Sequence, residues 1–411
     1  MSTLKETEVG RIPAEWNVRP LIGLVSIANG QVNPLQEPYR SMILVAPDHI
    51  ESGTGRLIAK RTAEDQKAIS GKYLFKKGDI LYSKIRPYLR KACLSDFDGL
   101  CSADMYPLTV QPRVSAGFIL NVILGHRFST FAENVSARSG MPKINREELS
   151  EYVVAVPPLN EQRAIAEALS DVDALINALD ALITKKRHIK QGTMQQLLTG
   201  KKRLPQFEPK TTTFKQTEAG IIPDDWEVKP LIDVFHFMGG KAHEPFVSEH
   251  GKYVVVNSKF VSTEGRVRKY CDRNVSPTQK GSILMVMSDL PNGKALAKCF
   301  LVDKDNIYAV NQRICSLKPK KDHSEYLFYA LNRHPYFLKF NDGVSQTHLL
   351  NPIVFACPVV VPKNTKEQEA IASVLHDMES EITALEQKRD KTKLIKQGMM
   401  QELLTGKTRL I

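Results

Sequence analysis

The sequence lacks the short motifs that mark most enzymes acting on nucleotides. It has no G-x-x-x-x-G-K-[ST] phosphate-binding loop, so nucleotide hydrolysis by this chain is not expected. Its one Pro-Pro pair, Pro157-Pro158, follows Val156, so the Asp/Asn-Pro-Pro-aromatic motif of amino-methyltransferases is also missing. A nuclease-like pattern, Asp48 followed by Asp65 and Lys67, falls in polar segments typical of loops. These absences disfavour a stand-alone nuclease or methyltransferase.

Cysteine is sparse and long apolar runs are missing. The six cysteines show no C-x-x-C spacing, and the ten histidines show no metal-ligand spacing, which disfavours a zinc site and a disulfide framework. No stretch approaches the ~18 consecutive apolar residues of a membrane span, and the first residues carry no apolar signal-peptide region. We therefore expect a cytoplasmic protein without a metal or cofactor of its own.

The charge balance is strongly basic. The formal net charge is +12 and the pI is about 9.2. Because Lys and Arg neutralise phosphates, this excess points first to a polyanion such as nucleic acid. Charge alone does not distinguish that role from a basic protein that binds no polyanion.

A long helical run occurs twice in the chain. The first copy extends from Glu161 to Thr199 and the second from Glu367 to Thr405, a shift of 206 residues without a gap. Asn160 is the predicted N-cap of the first helix, and Thr365 with Gln368 predicts a capping box for the second. Glycines at 200 and 406 follow the last apolar positions, where a left-handed residue commonly ends a helix.

Apolar residues in both runs are spaced alternately by four and three residues, which is the seam of a coiled coil. Each helix could pack on its own globular part, or the two could pack on each other. The second arrangement is favoured because each narrow seam needs a partner of equal length, and an antiparallel pair within one chain supplies it. The predicted helix-pairing residues are Ile165, Leu169, Val172, Ile176, Leu179, Ile183, Ile371, Leu375, Met378, Ile382 and Leu385.

The start of each half is repeated as well. Both copies contain Gly-x-Ile-Pro-x-x-Trp, beginning at Gly10 and at Gly220, and they include the only two tryptophans, Trp16 and Trp226. We expect a turn followed by a buried structural Trp. The segments between these starts and the helices, 22–140 and 232–345, share a skeleton but differ in their loops. The predicted fold is α+β: two globular domains in tandem pseudo-repeat, separated by two long antiparallel coiled-coil helices.

The divergent middle segments hold residue types suited to DNA. Arg pairs bidentately with guanine, Asn or Gln with adenine, and Lys mostly contacts phosphate. Each residue alone is more often a solvated surface charge, so the set is better supported than any member. The candidate DNA contacts are Arg56, Lys60, Arg61, Lys84, Arg86, Tyr88, Arg90, Arg138, Ser139, Lys143, Lys241, His243, Lys259, Arg266, Arg268, Lys269, Asn292, Lys294, Arg313, Gln346 and His348.

With these features in the same order twice, the chain resembles the specificity (S) subunits of type I restriction–modification enzymes. The resemblance rests on the repeated G-x-I-P-x-x-W, the P-P-L-N-E-Q-x-x-I and V-P-x-x-x-x-E-Q-x-x-I junctions, and the two long helices ending in L-L-T-G-K. It implies target recognition domains at 1–158 and 224–362, conserved helical spacers at 159–204 and 363–411, and a linker with the start of the repeat at 205–223.

The resemblance also implies a function. Each domain would bind one half of a bipartite, asymmetric target in double-stranded DNA, and the paired helices would set the spacer and dock two modification (methyltransferase) subunits. Restriction (endonuclease and translocase) subunits would join that core. S-adenosylmethionine, ATP and Mg would belong to these partners, so the chain itself would be non-catalytic. The alternative is a DNA-binding adaptor or regulator with tandem recognition domains and a coiled-coil dimerisation arm.

Overall fold

The structure, a computed structural model, describes residues 3–137, 142–208, 211, 213–290, 294–341 and 343–410. The first half contains β1 (Leu4–Thr7), β2 (Gly10–Pro13), β3 (Asn17–Pro20), β4 (Val25–Ile27), β5 (Leu44–Val45), β6 (Tyr73–Phe75), β7 (Ile80–Ser83), β8 (Ala92–Leu94), β9 (Gly99–Cys101), β10 (Met105–Val110), α1 (Ala116–Leu124), α2 (His126–Ser136), α3 (Arg146–Ser150), β11 (Val153–Val156) and α4 (Leu159–Leu197).

The second half contains β12 (Phe214–Thr217), β13 (Gly220–Pro223), β14 (Trp226–Pro230), α5 (Leu231–Val234), β15 (Phe235–Gly239), β16 (Tyr253–Val256), α6 (Ser258–Ser262), β17 (Tyr270–Cys271), β18 (Ile283–Val286), β19 (Ser288–Asp289), β20 (Cys299–Leu301), β21 (Tyr308–Val310), β22 (Ile314–Pro319), α7 (Ser324–Leu331), α8 (Pro335–Leu338), β23 (Thr347–His348), α9 (Asn351–Phe355), β24 (Pro358–Pro362) and α10 (Thr365–Leu403). We call β1–β11 domain 1 and β12–β24 domain 2.

The two domains share the topology of their main sheet. A four-stranded sheet has the order β4-β10-β7-β8 in domain 1 and β15-β22-β18-β20 in domain 2. Each domain adds a three-stranded sheet with one parallel pair, β5-β9-β6 or β17-β16-β21, and an opening hairpin, β1-β2 or β12-β13. The strand after each opening hairpin pairs with the strand that precedes the long helix, β3 with β11 and β14 with β24. The predicted tandem α+β pseudo-repeat is confirmed.

The repeated Gly-x-Ile-Pro-x-x-Trp forms the predicted turn and anchor. Gly10 and Gly220 adopt φ angles of 98° and 105°, which a residue with a side chain rarely adopts. Trp16 and Trp226 are fully buried, as expected. The Trp16 indole N–H donates to the Glu161 carboxylate at 3.0 Å, so this anchor reaches the first turn of α4.

Both long helices are 39 residues long and begin earlier than predicted. Asn160 lies inside α4, so its prediction as N-cap is wrong. The predicted Thr365 capping box is also wrong, because Asn364 accepts the Lys366 N–H at 3.0 Å and the Gln368 amide donates to Pro362 O at 2.8 Å. In α4, Gln162 makes the equivalent bond to Pro157 O at 2.9 Å. The repeated glutamine therefore ties the start of each helix to the segment just before it.

The chain divides into two compact units, Met1–Leu182 with Leu385–Ile411, and Ile183–Ala384. Each unit contains part of α4 and part of α10. In the first unit, Asp173 pairs with Lys396 at 2.7 Å and Asp180 with Arg389 at 3.3 Å. The partner number falls as the first number rises, so the helices run antiparallel there.

The second unit shows the same antiparallel direction. Lys186 pairs with Glu381 at 2.6 Å, and Lys190 pairs with Glu379. Each helix is acidic in its first half and basic in its second half, so a parallel pair would place the two basic halves together. The charge pattern therefore specifies the antiparallel direction that the 3.5-residue period alone does not.

The predicted helix-pairing residues fall into two groups. Ile165 and Leu169 lie in the core of domain 1, and Ile371 and Leu375 lie in the core of domain 2. Ile176, Leu179, Ile183 and Ile382 are buried along the middle of the helices, whereas Val172, Met378 and Leu385 are half-buried. The beginning of each helix thus packs on its own domain, an arrangement that the sequence left as the less favoured alternative.

The helical stretch after β10 is interrupted at Gly125, whose backbone is extended between α1 and α2. Its counterpart in domain 2 breaks before Pro335, after Arg333 in a left-handed conformation with φ 61°.

In the part of the chain that is described, no helix is both long and apolar enough to cross a membrane.

Candidate nucleic-acid interface

In domain 1, a basic turn formed by residues 84–90 follows the central strand β7. Ile85 forms a bridge with Lys143, the Arg86 N–H donates to Pro142 O at 2.8 Å, and the Ile144 N–H donates to Lys84 O at 2.9 Å. Five candidate residues are brought together by this turn and its neighbouring segment. They are Lys84, Arg86, Tyr88, Arg90 and Lys143.

The basic turn holds two arginines in a backbone conformation that L-residues avoid. Arg86 and Arg90 have φ angles of 48° and 46° at the two ends of the short helical turn Pro87–Leu89. Each left-handed residue costs about 1–2 kcal/mol. The turn is fastened at its far end because the Gly53 N–H donates to Arg90 O at 3.0 Å. Strain held in this way is typical of functional sites, and Tyr88, which lies between the two arginines, is 53% exposed.

The equivalent loop of domain 2 forms a two-stranded ribbon, β19 paired with β23. Ser288 lies opposite His348, and Asp289 lies opposite Thr347. The Gln346 side-chain amide donates to Ser288 Oγ at 2.9 Å. Gln346 and His348 are exposed while Thr347 is buried, so the two candidates share the outer face of the ribbon.

The Asp289 carboxylate closes the loop that follows β19. It accepts the N–H groups of Ala295 at 2.7 Å and Leu296 at 3.1 Å through one oxygen, and that of Leu290 at 3.0 Å through the other. Asp289 therefore holds Leu290 close to Ala295 and Leu296. Ser288, Asp289 and Leu290 are not among the predicted DNA contacts, although alignment of the two loops after β7 and β18 points to this segment.

Three further candidates of domain 2 flank the ribbon. Ser258, next to Lys259, donates to Ser288 O at 3.5 Å, and the Met287 N–H donates to Arg313 O at 2.9 Å. Lys294 lies in the loop that Asp289 closes and is exposed. The second domain therefore gathers Lys259, Lys294, Arg313, Gln346 and His348 around one ribbon.

Two of the remaining domain 1 candidates have acidic partners. Arg56 pairs with Glu51 at 3.0 Å, and Lys60 pairs with Asp96 at 3.1 Å. Arg61 is exposed beside β5, where the Leu44 N–H donates to its carbonyl at 2.9 Å. Arg138, Ser139 and Asn292 lie outside the described residues.

Four other domain 2 candidates are exposed but lie in other segments. The guanidiniums of Arg266 and Arg268 donate to Thr263 O and Gly265 O, so they help to close the turn after α6. Lys269 follows in that segment, and the Lys241 N–H donates to Val310 O.

His243, predicted as a DNA contact, is fully buried, so this prediction is wrong. Its Nδ1 lies 2.7 Å from Lys241 O, and its Nε2 accepts the Val275 N–H at 3.2 Å. Both ring nitrogens therefore serve the fold of domain 2, and this side chain is removed from the surface set.

Domains 1 and 2 thus place chemically different surfaces after equivalent strands. Domain 1 presents cations and a tyrosine, which suit guanine edges and phosphates, whereas domain 2 also presents an amide, which suits adenine. Within the described ranges, no group of three or more His, Cys, Asp or Glu side chains could hold a metal ion. A repeated fold with two unlike surfaces is the arrangement expected of a recognition protein with two different binding domains.

Comparison with known proteins gives this class its family. The type I restriction modification DNA specificity domain matches the chain twice, at residues 13–190 and 223–394. The chain therefore belongs to this family and carries two copies of its domain. Its class is that of a sequence-specific recognition subunit, which is not itself catalytic.

Curated relatives agree with this assignment. The Escherichia coli type I restriction enzyme EcoDI specificity subunit is 36% identical over 180 residues, 44% of this chain and 40% of that protein. The putative MjaX specificity subunit of Methanocaldococcus jannaschii is 24% identical over 99% of this chain and 96% of its own length. The MjaVIII specificity subunit of the same organism is 27% identical over 76% of this chain and 75% of its own length.

Solved structures support the fold. The type I restriction–modification S subunit from M. genitalium matches with a TM-score of 0.58 at 15% identity and covers 98% of both chains. A chain from a type I R-M system studied for its complex assembly and conformational transition also matches with a TM-score of 0.58, at 16% identity, over 97% of this chain and 99% of that chain.

Proposed function

We propose that this chain binds a bipartite, asymmetric sequence in double-stranded DNA, with domain 1 on one half-site and domain 2 on the other. The observation that supports this most is the pairing of a repeated frame with unlike loops: the basic turn after β7 and the ribbon after β18. A frame of this kind can present two different surfaces, whereas two identical surfaces would favour a symmetric target. The antiparallel helices would fix the gap between the half-sites.

The same proposal gives the helices a second role, the docking of two modification (methyltransferase) subunits. Ile189 and Ile395 occupy equivalent positions in the repeats and are 45% and 49% exposed. Leu175 and Leu394 are also exposed on these helices. Exposed apolar side chains in two equivalent places suit two copies of one apolar partner surface.

Catalysis belongs to the partner subunits in this proposal. Methyl transfer from S-adenosylmethionine would reside in the modification subunits, and ATP- and Mg-dependent cleavage in the restriction subunits. The chain would act on DNA in the cytoplasm and recognise the target sequence for these subunits. Its basic net charge of +12 suits that location on a polyanion.

A genome-wide map of methylated bases tests the proposal most directly. It compares cells that carry this gene and the neighbouring methyltransferase gene with cells that lack only this gene. We expect a gapped, asymmetric methylated sequence that requires this chain. If methylation does not depend on the chain, the alternative hypothesis of a DNA-binding adaptor or regulator is better supported. Self-association of the purified chain would then be measured.

A domain exchange tests whether each domain recognises its own half-site. Residues 22–140 are replaced by the corresponding segment of a relative with a different target, and the methylation map is repeated. One half-site should change and the other should stay, because each domain carries its own loops. Altered recognition at both half-sites would contradict the modular proposal.

A further inference from the structure

The ribbon of domain 2 contains a more specific arrangement than a basic surface. Gln346 is exposed, and its amide nitrogen donates to the oxygen of Ser288, which is only 2% exposed. Ser288 is itself fixed by its place in β19, opposite His348. A flexible glutamine is thus held in one orientation by a buried hydroxyl.

The bond to Ser288 uses one N–H group of the amide. A side-chain amide has two N–H donors and a carbonyl acceptor, so the second N–H and Oε1 remain suited to another partner. An adenine edge requires this combination, because N7 accepts and N6–H₂ donates. A guanine edge presents two acceptors in the major groove and matches an amide less well.

An exposed apolar side chain lies at the same end of the ribbon as this amide. Leu290 directly follows β19 and Gln346 directly precedes its antiparallel partner β23, and Leu290 is 62% exposed. Leu350, two residues beyond His348, is 56% exposed, while Leu349 between them is fully buried. The outer face therefore has a polar centre, Gln346 and His348, with leucines on either side.

Polar and apolar groups are combined in this way where a protein contacts an A·T pair. The adenine offers its N7 and N6 groups, and thymine offers a C5-methyl that apolar side chains contact. A two-stranded ribbon also fits the width of the major groove.

We propose that Gln346, oriented by Ser288, pairs with an adenine in the half-site bound by domain 2, and that Leu290 packs on the methyl of a thymine beside it. This rests on the proposed function and specifies part of its target. Ser288 is a positioning residue, because it acts through Gln346. The proposal requires that the domain 2 half-site contain at least one A·T pair.

The experiment uses the complex with its modification subunits and duplexes carrying the sequence found by the methylation map. The domain 2 half-site is the one that the exchange of residues 22–140 leaves unchanged. Each adenine there is replaced in turn by 7-deazaadenine, which lacks the N7 acceptor, and each thymine by uracil, which lacks the methyl. Dissociation constants are measured for wild type, Gln346→Ala, Ser288→Ala and Leu290→Ala, with the exposed Gln279→Ala as the matched control.

Wild type and Gln279→Ala should lose about five- to 150-fold in affinity with 7-deazaadenine at one position, whereas Gln346→Ala should lose nothing further there. Uracil at one position should cost wild type about threefold to fivefold and Leu290→Ala nothing. Ser288→Ala should respond to 7-deazaadenine by an intermediate factor, because the amide is present but free to rotate.

Equal losses in wild type and Gln346→Ala at every adenine would overturn the proposal, as would a half-site without an A·T pair. Specific binding that persists with either result would leave the proposed function intact. Absence of any sequence preference in the wild-type complex would instead defeat the proposed function itself.

Discussion

Arg409 and Glu161 form a buried ion pair between the segment after α10 and the first turn of α4. The guanidinium Nε donates to Oε1 at 2.5 Å and a terminal nitrogen donates to Oε2 at 2.8 Å. Glu161 is 4% exposed and also accepts the Trp16 N–H. The second unit repeats the arrangement, with Arg203 on Glu367 at 2.6 and 2.8 Å. In each unit, the arginine after one repeat's helix therefore closes the start of the other repeat's helix.

Replacing Arg409 should destabilise the first unit strongly. Arg409→Ala leaves the Glu161 carboxylate buried with only the indole as partner, so we expect a loss of about 3–5 kcal/mol in unfolding free energy. A Trp226→Phe background makes Trp16 fluorescence report on this unit alone. Arg11→Ala, which removes an exposed pair with Glu6, is the matched control and should leave the transition unchanged. Coincident curves for Arg409→Ala and its parent would show that the pair does not hold the unit together.

The antiparallel direction of the helices should depend on matched charges. Asp173→Lys places a cation beside Lys396, which is nearly buried, and should destabilise the first unit. The double variant Asp173→Lys with Lys396→Asp restores an opposite pair with reversed polarity. We expect a coupling free energy of about 1–2 kcal/mol from the double-mutant cycle, measured by denaturant unfolding. A coupling near zero would mean that apolar packing alone sets the direction.

Arg86 should behave as a strained functional residue. Arg86→Gly relieves the left-handed backbone and should raise the stability of the first unit by about 1 kcal/mol. The same change removes a guanidinium suited to guanine. The affinity for the target should therefore fall about five- to 150-fold, through the loss of the contact with one base pair of the domain 1 half-site. Arg113, with φ 65°, supplies the control, because Arg113→Gly relieves similar strain in another loop.

The two readouts separate the possible roles of Arg86. If both glycine variants gain stability and only Arg86→Gly loses affinity for the target, the strain serves recognition. Equal DNA binding by wild type and Arg86→Gly would leave the strain without a role at the interface.

The sequence predicts the repeated scaffold well because its causes are local. Each repeated feature can be recognised in a short stretch of sequence: the copies shifted by 206 residues, the two tryptophan turns and the spacing of apolar residues by four and three. The structure has the corresponding turns and helices. The sequence predicts the helix starts less well, because Asn364 competes with Thr365 as the cap and the Gln368 amide donates to Pro362 O instead of to its own helix. Propensity alone does not rank such neighbours.

The interface is harder to predict because it depends on pairing between distant segments. Gln346 was a candidate by residue type, but its orientation comes from Ser288, 58 positions earlier. His243 was a candidate by residue type as well, yet it is buried and both of its ring nitrogens contact backbone groups. Burial and partner identity are set by the tertiary fold, so composition could indicate the surface only as a set.

The second unit should lose stability in mild acid because of His334. Burial lowers the pKa of this imidazole from 6.5 to about 4, and its Nδ1 accepts the Tyr336 N–H at 3.3 Å, which a protonated ring could not do. As pH falls below 6.5 the unfolded chain takes up a proton that the folded chain refuses until about pH 4. The contribution is therefore fully present above pH 6.5 and is lost progressively down to about pH 4.

We expect the unfolding free energy of the second unit to fall by about 2 kcal/mol between about pH 7 and about pH 5 through this group. The measurement follows Trp226 fluorescence in a Trp16→Phe background. His334→Asn keeps an acceptor at the start of α8 but does not titrate, so its pH dependence should be smaller by that amount. His376→Asn, at an exposed position on α10, is the control and should keep the parent slope. If His334→Asn and His376→Asn show the same slope, His334 is not the group responsible for the acid sensitivity.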